Sequence, residues 1–573
     1  MGRYKTDLRD VNFNLFEVLK VENHTDLGAA DLKDIVAQVD SFFEKEIFPT
    51  REKSDHQGVK LTAEGVKVPE ILRAPHKAFY ENGWFAIGLP EVWGGTPLPE
   101  AVSLVSTSLA TAANTSWFMY PGLTRAALNV IMKKGTESQK TTLVPRMMDG
   151  RMGGTMCLTE SGAGSDVGAL RTTATPMGNG KYKINGTKIF ISSGENDLYE
   201  NIVHLVLART PNAPAGSKGI SLFVVTRYHM NADGSTASTN NVTCTKIEEK
   251  MGLHAQATCE LAFGLNGECV GELIGDEFDG MATMFIMMNE ARLFCGVQGE
   301  AQANLAYMMA EQYCKERVQF GTEIINHPDM KRSLLRQRAM SRGMRALCLY
   351  TANLFDVEKK DPEAHHLIGL LTPICKAYCS EQGFQVCVEA LQAHGGYGFC
   401  TEYGIEQFVR DTKIATIYEG TNGIQAIDFV MRKILKDNGK ALGIMTNEIL
   451  KAISESPKDF CPKEVDLMSK VMMSAQTVMG MITKKAQAKD MEGILAHCTD
   501  FLQFASCLVM AWRLLDSAIV ANSKLANASA DDKQYYQSKI ADFRIYCTHY
   551  LVHNVALAKT MVEHELNLKE FTL

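Results

Sequence analysis

The spacing of apolar residues changes twice along this chain. From Asp31 to about Met152 they recur mainly three and four residues apart, which predicts helices with one buried face, broken at Gly88-Leu-Pro90 and Gly94-Gly95. Between about Gly153 and Asp279 the pattern becomes short strand-like runs: Tyr182-Lys-Ile184, Ile189-Phe-Ile191, Ile202-Val-His-Leu-Val-Leu207 and Ile220-Ser-Leu-Phe-Val-Val225. Asn185-Gly186 lies between two of these runs, and because both residues tolerate positive φ the pair predicts a type I′ hairpin. Helical spacing returns with Leu293, Val297, Ala301, Leu305 and Met308, a stripe for one face of a long helix, supported by the i,i+4 pair Glu311 and Lys315. Helices continue to about Lys436, where Asp437-Asn438-Gly439 is a terminator, and the remainder to Leu573, including Leu502 to Val520, reads as another helical unit. No solenoid repeat or low-complexity tract interrupts the pattern.

Composition narrows the classes. A chain of 573 residues outgrows a single core, so about three or four domains are expected. The hydrophobic fraction of 46% and charged fraction of 22% are those of a globular protein. A formal charge of -7 offers no basic footprint for nucleic acid or an anionic membrane. The 15 cysteines are scattered and no secretory signal precedes them, so a reducing cytosol is expected. Cys375 and Cys379 have the wrong spacing for a Cys-x-x-Cys motif and read as apolar filler; no metal site is expected. No apolar run approaches the roughly eighteen residues of a membrane span. Asp7 and Asp10 among Arg3, Lys5 and Arg9 argue against a mitochondrial transit peptide, which leaves the cytoplasm as the expected compartment.

Four segments carry candidate chemistry. Thr159-Glu-Ser-Gly-Ala-Gly-Ser-Asp166 is a loop of small residues whose backbone N–H groups could approach a phosphate or a flavin edge, although it fits neither the P-loop nor the Gly-x-Gly-x-x-Gly spacing. Asn185-Gly-Thr-Lys-Ile-Phe-Ile-Ser-Ser-Gly194 puts Phe190 and Ser192 on the same face of a strand, because side chains alternate with period two. Glu316-Arg-Val-Gln-Phe-Gly321 ends the long helix with Arg317, suited to a pyrophosphate or simply a solvated helix end. The fourth combines Gln392-Ala-His-Gly-Gly-Tyr-Gly398, Arg410-Asp411 and Tyr418-Glu-Gly-Thr-Asn422; His394 beside its glycines reads as a packing or capping residue rather than a base or metal ligand.

In this order, across a helix, sheet and helix partition, the four segments resemble the acyl-CoA dehydrogenase family over roughly residues 30 to 436. The length, the extra C-terminal unit and the stretch from Asn201 to Gly216 are most similar to the large bacterial branch containing 3-methylmercaptopropionyl-CoA dehydrogenases. The resemblance implies an α+β protein: an N-terminal helical domain (1–152), a central β-barrel or sandwich (153–280), a C-terminal four-helix bundle (281–436) and an extra helical domain (437–573). It implies FAD as cofactor, contacted by Thr159, Ser165, Phe190, Ser192 and Thr421, with Arg317, Phe320, Gln392 and Gly396 reaching the FAD of a neighbouring subunit, so that a homodimer is the minimum assembly. The family usually has Trp-Ile-Thr where this chain has Phe190-Ile191-Ser192: the ring is smaller and the hydroxyl for flavin N5 is kept. Ser165, Arg292 and Gly420 match substrate-binding positions, although Asn289, three residues before Arg292, stands where the family more often has Asp.

Glu419 matches the family's catalytic base. Some branches place the base on the long helix, at a position occupied here by Ala291; Glu290 beside it points about 100° away. The implied reaction is α,β-desaturation of an acyl-CoA to its trans enoyl-CoA, within fatty acid β-oxidation or dimethylsulfoniopropionate catabolism, with an electron-transferring flavoprotein as acceptor. A thioester α C–H is a weak acid, so a glutamate near its reference pKa of about 4.3 needs burial to raise it and donors on the thioester oxygen to stabilise the enolate. An acyl-CoA oxidase shares this arrangement, and a non-catalytic flavoprotein scaffold is the reading from a different class; the near-balanced charge of the C-terminal unit speaks against the DNA-binding form of the latter. Met472, Met473, Met479 and Met481 in that unit read as buried core within a dimer scaffold. Acyl chain length is not encoded in any one segment.

Overall fold

The computed structural model describes residues 4–231, 233–564, 571 and 572, with the side chains of residues 287–289, and so that of Asn289, outside the description. Two compact units emerge, one from residues 38–98 and 109–291, the other from residues 1–37, 99–108 and 292–573.

The first of these units is built on an eight-stranded sheet. Its order runs Val242–Ile247, Thr258–Phe263, Lys181–Ser192, Val270–Leu273, Ser221–Thr226, Asn201–Ala208, Met152–Cys157, with Thr173–Gly178 pairing Lys181–Ser192. Met152–Cys157 runs parallel to Asn201–Ala208 and the other pairings are antiparallel. All eight residues of Asn201–Ala208 are buried, which is why this strand reads as a continuous apolar run rather than an alternation. Ile184, Val206, Phe223, Val225, Leu261 and Phe263 form the core between the strands. Backbone bonds from Ala174 N to Arg209 O (2.8 Å) and from Arg209 N to Thr172 O (2.9 Å) tie the end of the buried strand to the Thr173 strand and partly close the sheet. The helical stretch before the sheet also contains a small hairpin, Lys60–Thr62 with Gly65–Lys67, that apolar spacing did not predict.

The expected hairpin at Asn185-Gly186 is not there. Lys181–Ser192 runs through both residues, which pair with Thr173 and Phe263. Gly186 serves a close approach instead, since a Cβ at this position would lie 2.4 Å from Thr172 Oγ1. The turn sits at Asn179-Gly180, with φ of 52° and 73°, the same Asn-Gly chemistry a few residues earlier.

In the other unit, the stripe Leu293, Val297, Ala301 and Leu305 of Gly280–Glu316 is buried, but so are Cys295, Gln298, Glu300, Gln302 and Ala303 from the helix's remaining faces. The helix is therefore central, not amphipathic. Pro328–Glu358 and the run from Ala364 to Ala393 pack beside it. Glycines set the spacing: a Cβ at Gly296 would lie 2.6 Å from Cys375 O, at Gly299 2.1 Å from Cys379 O, and at Gly383 2.4 Å from Gly299 O. Backbone therefore lies on backbone where the run from Ala364 passes through a π-helical turn at Cys375–Cys379.

Left-handed Asn438 and Gly439 break the chain as expected before Lys440–Glu455, Pro462–Gln487, Met491–Lys524, Ala530–Tyr546 and His553–Glu563. The stretch Met491–Asn527 reaches a mean hydropathy of 1.6 over eighteen residues, although Asp500, Arg513 and Asp516 interrupt it, so it is not an unbroken apolar run. Its apolarity serves the interior, because 83% of that window is buried. The segment from Leu8 to Leu19 is helical as well, and it anchors here through a charge network. Asp10, fully buried, accepts Lys539 Nζ at 2.8 Å and pairs with Arg345 at 3.1 Å and Arg342 at 3.7 Å; Arg345 also meets Glu300 at 3.0 Å, and Arg342 meets Asp542 at 3.0 Å.

Candidate functional site

Glu419 stands on a tight loop between Ile414–Thr416 and the helix Asn422–Asp428. Glu419 and Gly420 are both left-handed, with φ of 56° and 80°. A non-glycine residue in this region stores strain and persists where its surroundings enforce it. Gln425 does so from below: its Nε2 donates to Glu419 O at 2.9 Å and to Gly420 O at 3.3 Å. Thr421 caps the following helix, its Oγ1 accepting Ile424 N at 3.3 Å. Tyr418, on the other side of Glu419, donates its hydroxyl to Gln298 Oε1 on the central helix.

The carboxylate itself is poorly compensated. Glu419 Oε2 is sealed from solvent with no hydrogen-bond partner among the described residues. Burial pushes the carboxyl up to about 7, against the opposing fields of the Arg292 guanidinium and the Lys376 ammonium. Arg292 is buried and pairs with Asp428 at 3.0 Å. Lys376 is fully buried, and its Nζ donates to Asn422 Oδ1 at 2.9 Å. Burial also pushes Tyr418 and the nearby Cys295 thiol well up, so both stay neutral around Glu419 at ordinary pH.

In the sheet unit, the loop after Met152–Cys157 is folded back on itself by mutual backbone bonds between Glu160 and Ala163, at 3.0 and 3.2 Å. The buried Glu160 carboxylate anchors it, accepting Arg171 N (2.7 Å), Thr172 N (3.0 Å), Thr172 Oγ1 (2.6 Å) and the fully buried Lys188 Nζ (2.8 Å). With Glu160 turned inward, Ser165 is exposed, and a Cβ added at Gly162 would meet nothing within 4 Å. Thr159 O accepts Ile189 N at 2.9 Å and holds the loop against the strand that bears Phe190 and Ser192.

The strict alternation assumed for those two residues fails. Pairing jumps from Cys259–Ile191 to Leu261–Lys188, a bulge, and Phe190 takes a φ of 58° with 60% of its surface exposed. Bulges re-aim side chains, and here one displays an aromatic ring.

Arg317 and Phe320 follow the central helix on a two-strand hairpin, Val318–Gln319 with Thr322–Glu323. Phe320 and Gly321 form its left-handed turn (φ 53° and 82°), which leaves Phe320 96% exposed. The Arg317 guanidinium lies 5.4 Å from the centroid of the Tyr397 ring, so Arg317 and the Gly395–Phe399 turn that contains Gly396 meet. Gln392 and Gly396 are exposed, and a Cβ at Gly396 would meet nothing within 4 Å. His394 is the capping residue expected: its Nδ1 engages Ala390 O at 2.8 Å and its ring stacks on Tyr313 at 4.4 Å.

These surfaces suit the parts of FAD. The Gly162 and Gly164 loop leaves open backbone for a phosphate or ring edge, exposed Phe190 offers an aromatic face, and Arg317 beside open Gly396 offers a cation for a pyrophosphate. Sequence reasoning missed Lys376, Asn422, Gln298 and the Glu160–Lys188 pair. The visible signal for Lys376 is a single cation inside the apolar run from Leu370 to Cys379.

Family models for the acyl-CoA dehydrogenase N-terminal, middle and C-terminal domains match residues 29–151, 155–264 and 279–435, and an acetyl-CoA dehydrogenase C-terminal-like model matches residues 431–571. The chain is 35% identical over 570 residues to the 3-methylmercaptopropionyl-CoA dehydrogenase of Ruegeria pomeroyi, with 96% of each covered. It is also 35% identical over 588 residues to the broad-specificity linear acyl-CoA dehydrogenase FadE5 of Mycobacterium tuberculosis, again with 96% of each covered. Among solved structures, an acyl-CoA dehydrogenase complexed with FAD from Bacillus anthracis shares the fold, with a TM-score of 0.76 at 22% identity over 95% of this chain and 89% of that one. The chain belongs to the acyl-CoA dehydrogenase family, flavoenzymes that use FAD to oxidise the CH–CH bond of an acyl-CoA.

Proposed function

We propose that Glu419 is the base that removes the α proton of the bound acyl-CoA. The observation that carries this is the sealed, unpartnered Oε2 of a carboxyl raised to about 7. A base near neutrality is ionised in useful amount and still basic enough to take a proton from a thioester α carbon. FAD, when bound, supplies the acceptor for the hydride that leaves the β carbon. The chain's own contribution is placement and field: Gln425 and Tyr418 fix the loop, and Arg292 and Lys376 keep Glu419 from rising further. Thr159, Ser165, Phe190, Ser192 and Thr421 are proposed FAD contacts, and Arg317, Phe320, Gln392 and Gly396 are proposed to reach the FAD of a second subunit in a homodimer. The outward, strained display of Phe320 supports a partner for that hairpin. Ser165 and Gly420 are proposed substrate contacts; Arg292, locked to Asp428, is proposed to act on the CoA region by its charge.

The whole-length likeness to relatives at 35% identity favours a straight-chain or methylthio-substituted acyl group as substrate. An electron-transferring flavoprotein is the proposed acceptor and the cytoplasm the proposed compartment. Glu419→Gln is expected to retain FAD yet lose bleaching of the flavin by acyl-CoA under anaerobic conditions. Bleaching at the parent rate would reject Glu419 as the base. Anaerobic titration with a panel of acyl-CoAs identifies the substrate, and oxygen consumption during turnover separates dehydrogenase from oxidase.

A further inference from the structure

Lys376 is fully buried on the π-helical turn Cys375–Cys379, an uncommon place for an ammonium. The glycine contacts at Gly296 and Gly299 bring this turn directly onto the central helix beside Cys295. Lys376 Nζ donates to Asn422 Oδ1 at 2.9 Å, Ser380 Oγ donates to the same oxygen at 3.3 Å, and Asn422 Nδ2 returns a bond to Ala377 O at 3.2 Å. Asn422 opens the helix that follows Glu419, so the turn and the loop are fastened together. An interior ammonium carries a desolvation penalty that an apolar residue of the same length would avoid. Its position calls for a role beyond packing.

We propose that Lys376 is a positioning residue for the dehydrogenation: through Asn422 it fixes the Glu419 loop, and its buried charge adds to that of Arg292 in favouring the ionised Glu419 carboxylate. This rests on Glu419 being the base. Arg292, although paired with Asp428, is the larger of the two cations that oppose the rise of Glu419, and Lys376 is the second; Cys295 and Tyr418 are held protonated by burial. Glu381, one helical turn along from Lys376, acts on the ammonium rather than on Glu419. Burial pushes Lys376 itself down to about 8, against the pull of Cys295 and Glu419, so it remains charged where Glu419 titrates.

The test is anaerobic flavin reduction across about pH 6 to 9, on the FAD-loaded full chain, with the acyl-CoA that bleaches the parent fastest. Lys376→Met keeps length and apolar bulk while removing charge and donor. Its rate profile is expected to move alkaline by about one unit, roughly a tenfold loss near neutrality that recovers as pH rises. Asn422→Ala leaves the ammonium in place and removes the anchor; it is expected to lower the limiting rate at every pH with KM and the profile midpoint unchanged. A Lys376→Met profile that overlays the parent, or Asn422→Ala reducing at the parent rate, overturns the proposal. Should Lys376→Met fail to accumulate with FAD, the Asn422→Ala arm decides. Glu419→Gln run in parallel separates the two readings. Bleaching in that variant sinks the base assignment itself, whereas its silence alongside an unmoved Lys376→Met profile sinks the Lys376 assignment alone.

Discussion

Phe190, Phe320 and Glu419 are all non-glycine residues with positive φ, and all three are candidate site residues. Such backbone costs of order 1 kcal/mol or more per residue, and glycine would avoid it. Function and stability are thus opposed at single positions, most measurably at Glu419. Its carboxyl sits at about 7 in the folded chain against an ordinary 4.5. The folded chain therefore holds a proton here that the unfolded chain has released, and stability falls as pH climbs through that window, by up to about 3 kcal/mol once above it. Glu419→Gln is expected to melt a few degrees above the parent at pH near 8 and together with it near pH 4, read by thermal unfolding of the FAD-loaded, substrate-free protein. Identical melting of parent and variant at both pH values would contradict the burial-driven shift. The carboxylate's identity was legible in Tyr418-Glu-Gly-Thr-Asn422, but its environment was not. Lys376 and Arg292 reach it through packing that depends on glycine contacts between helices distant in sequence.

At the scale of elements, the order helix, sheet, helix was readable because the apolar period changes with it. Turn chemistry was read at the wrong site. Asn185-Gly186 and Asn179-Gly180 carry the same local signal, and what separates them is Thr172 closing on Gly186, a contact made by the residue just before the strand Thr173–Gly178. The same holds for the Phe190 bulge, where the partner strand decides the register. The candidate FAD loop depends on a buried ion pair that no motif announced. Lys188 Nζ serves both Glu160 Oε1 at 2.8 Å and Leu158 O at 2.9 Å. Lys188→Met strands the Glu160 carboxylate in the interior and is expected to destabilise by about 3–5 kcal/mol with loss of FAD. Adding Glu160→Gln removes the stranded charge, so the double variant should recover part of the stability. A double variant no better than the single one, in thermal unfolding and FAD content, would show the pair to be dispensable as a charge pair.

For the molecule as a whole, the sequence foretold several domains but not what ties the segment from Leu8 to Leu19 to helices far along the chain. Asp7 and Asp10 served only to argue against a transit peptide. In the fold, Asp10 lies at the centre of the Arg342, Arg345 and Lys539 network, which holds its carboxyl far below the ordinary range. Stability from this site is therefore present above about pH 4 and lost as pH falls further. Asp10→Asn leaves Lys539 buried without its carboxylate and is expected to cost about 3–5 kcal/mol near neutral pH, with Lys539→Met restoring part of it. An unchanged melting temperature in Asp10→Asn would show that the segment is held by its apolar contacts alone. Asp10 and Lys539 are separated by 529 positions. At about 5–20 residues per second a ribosome needs roughly 30–100 s to produce the second after the first. Arg342 and Arg345 emerge well before Lys539, so during synthesis Asp10 meets its two guanidinium partners before its ammonium, and the Leu8 to Leu19 segment is secured in stages rather than at one moment.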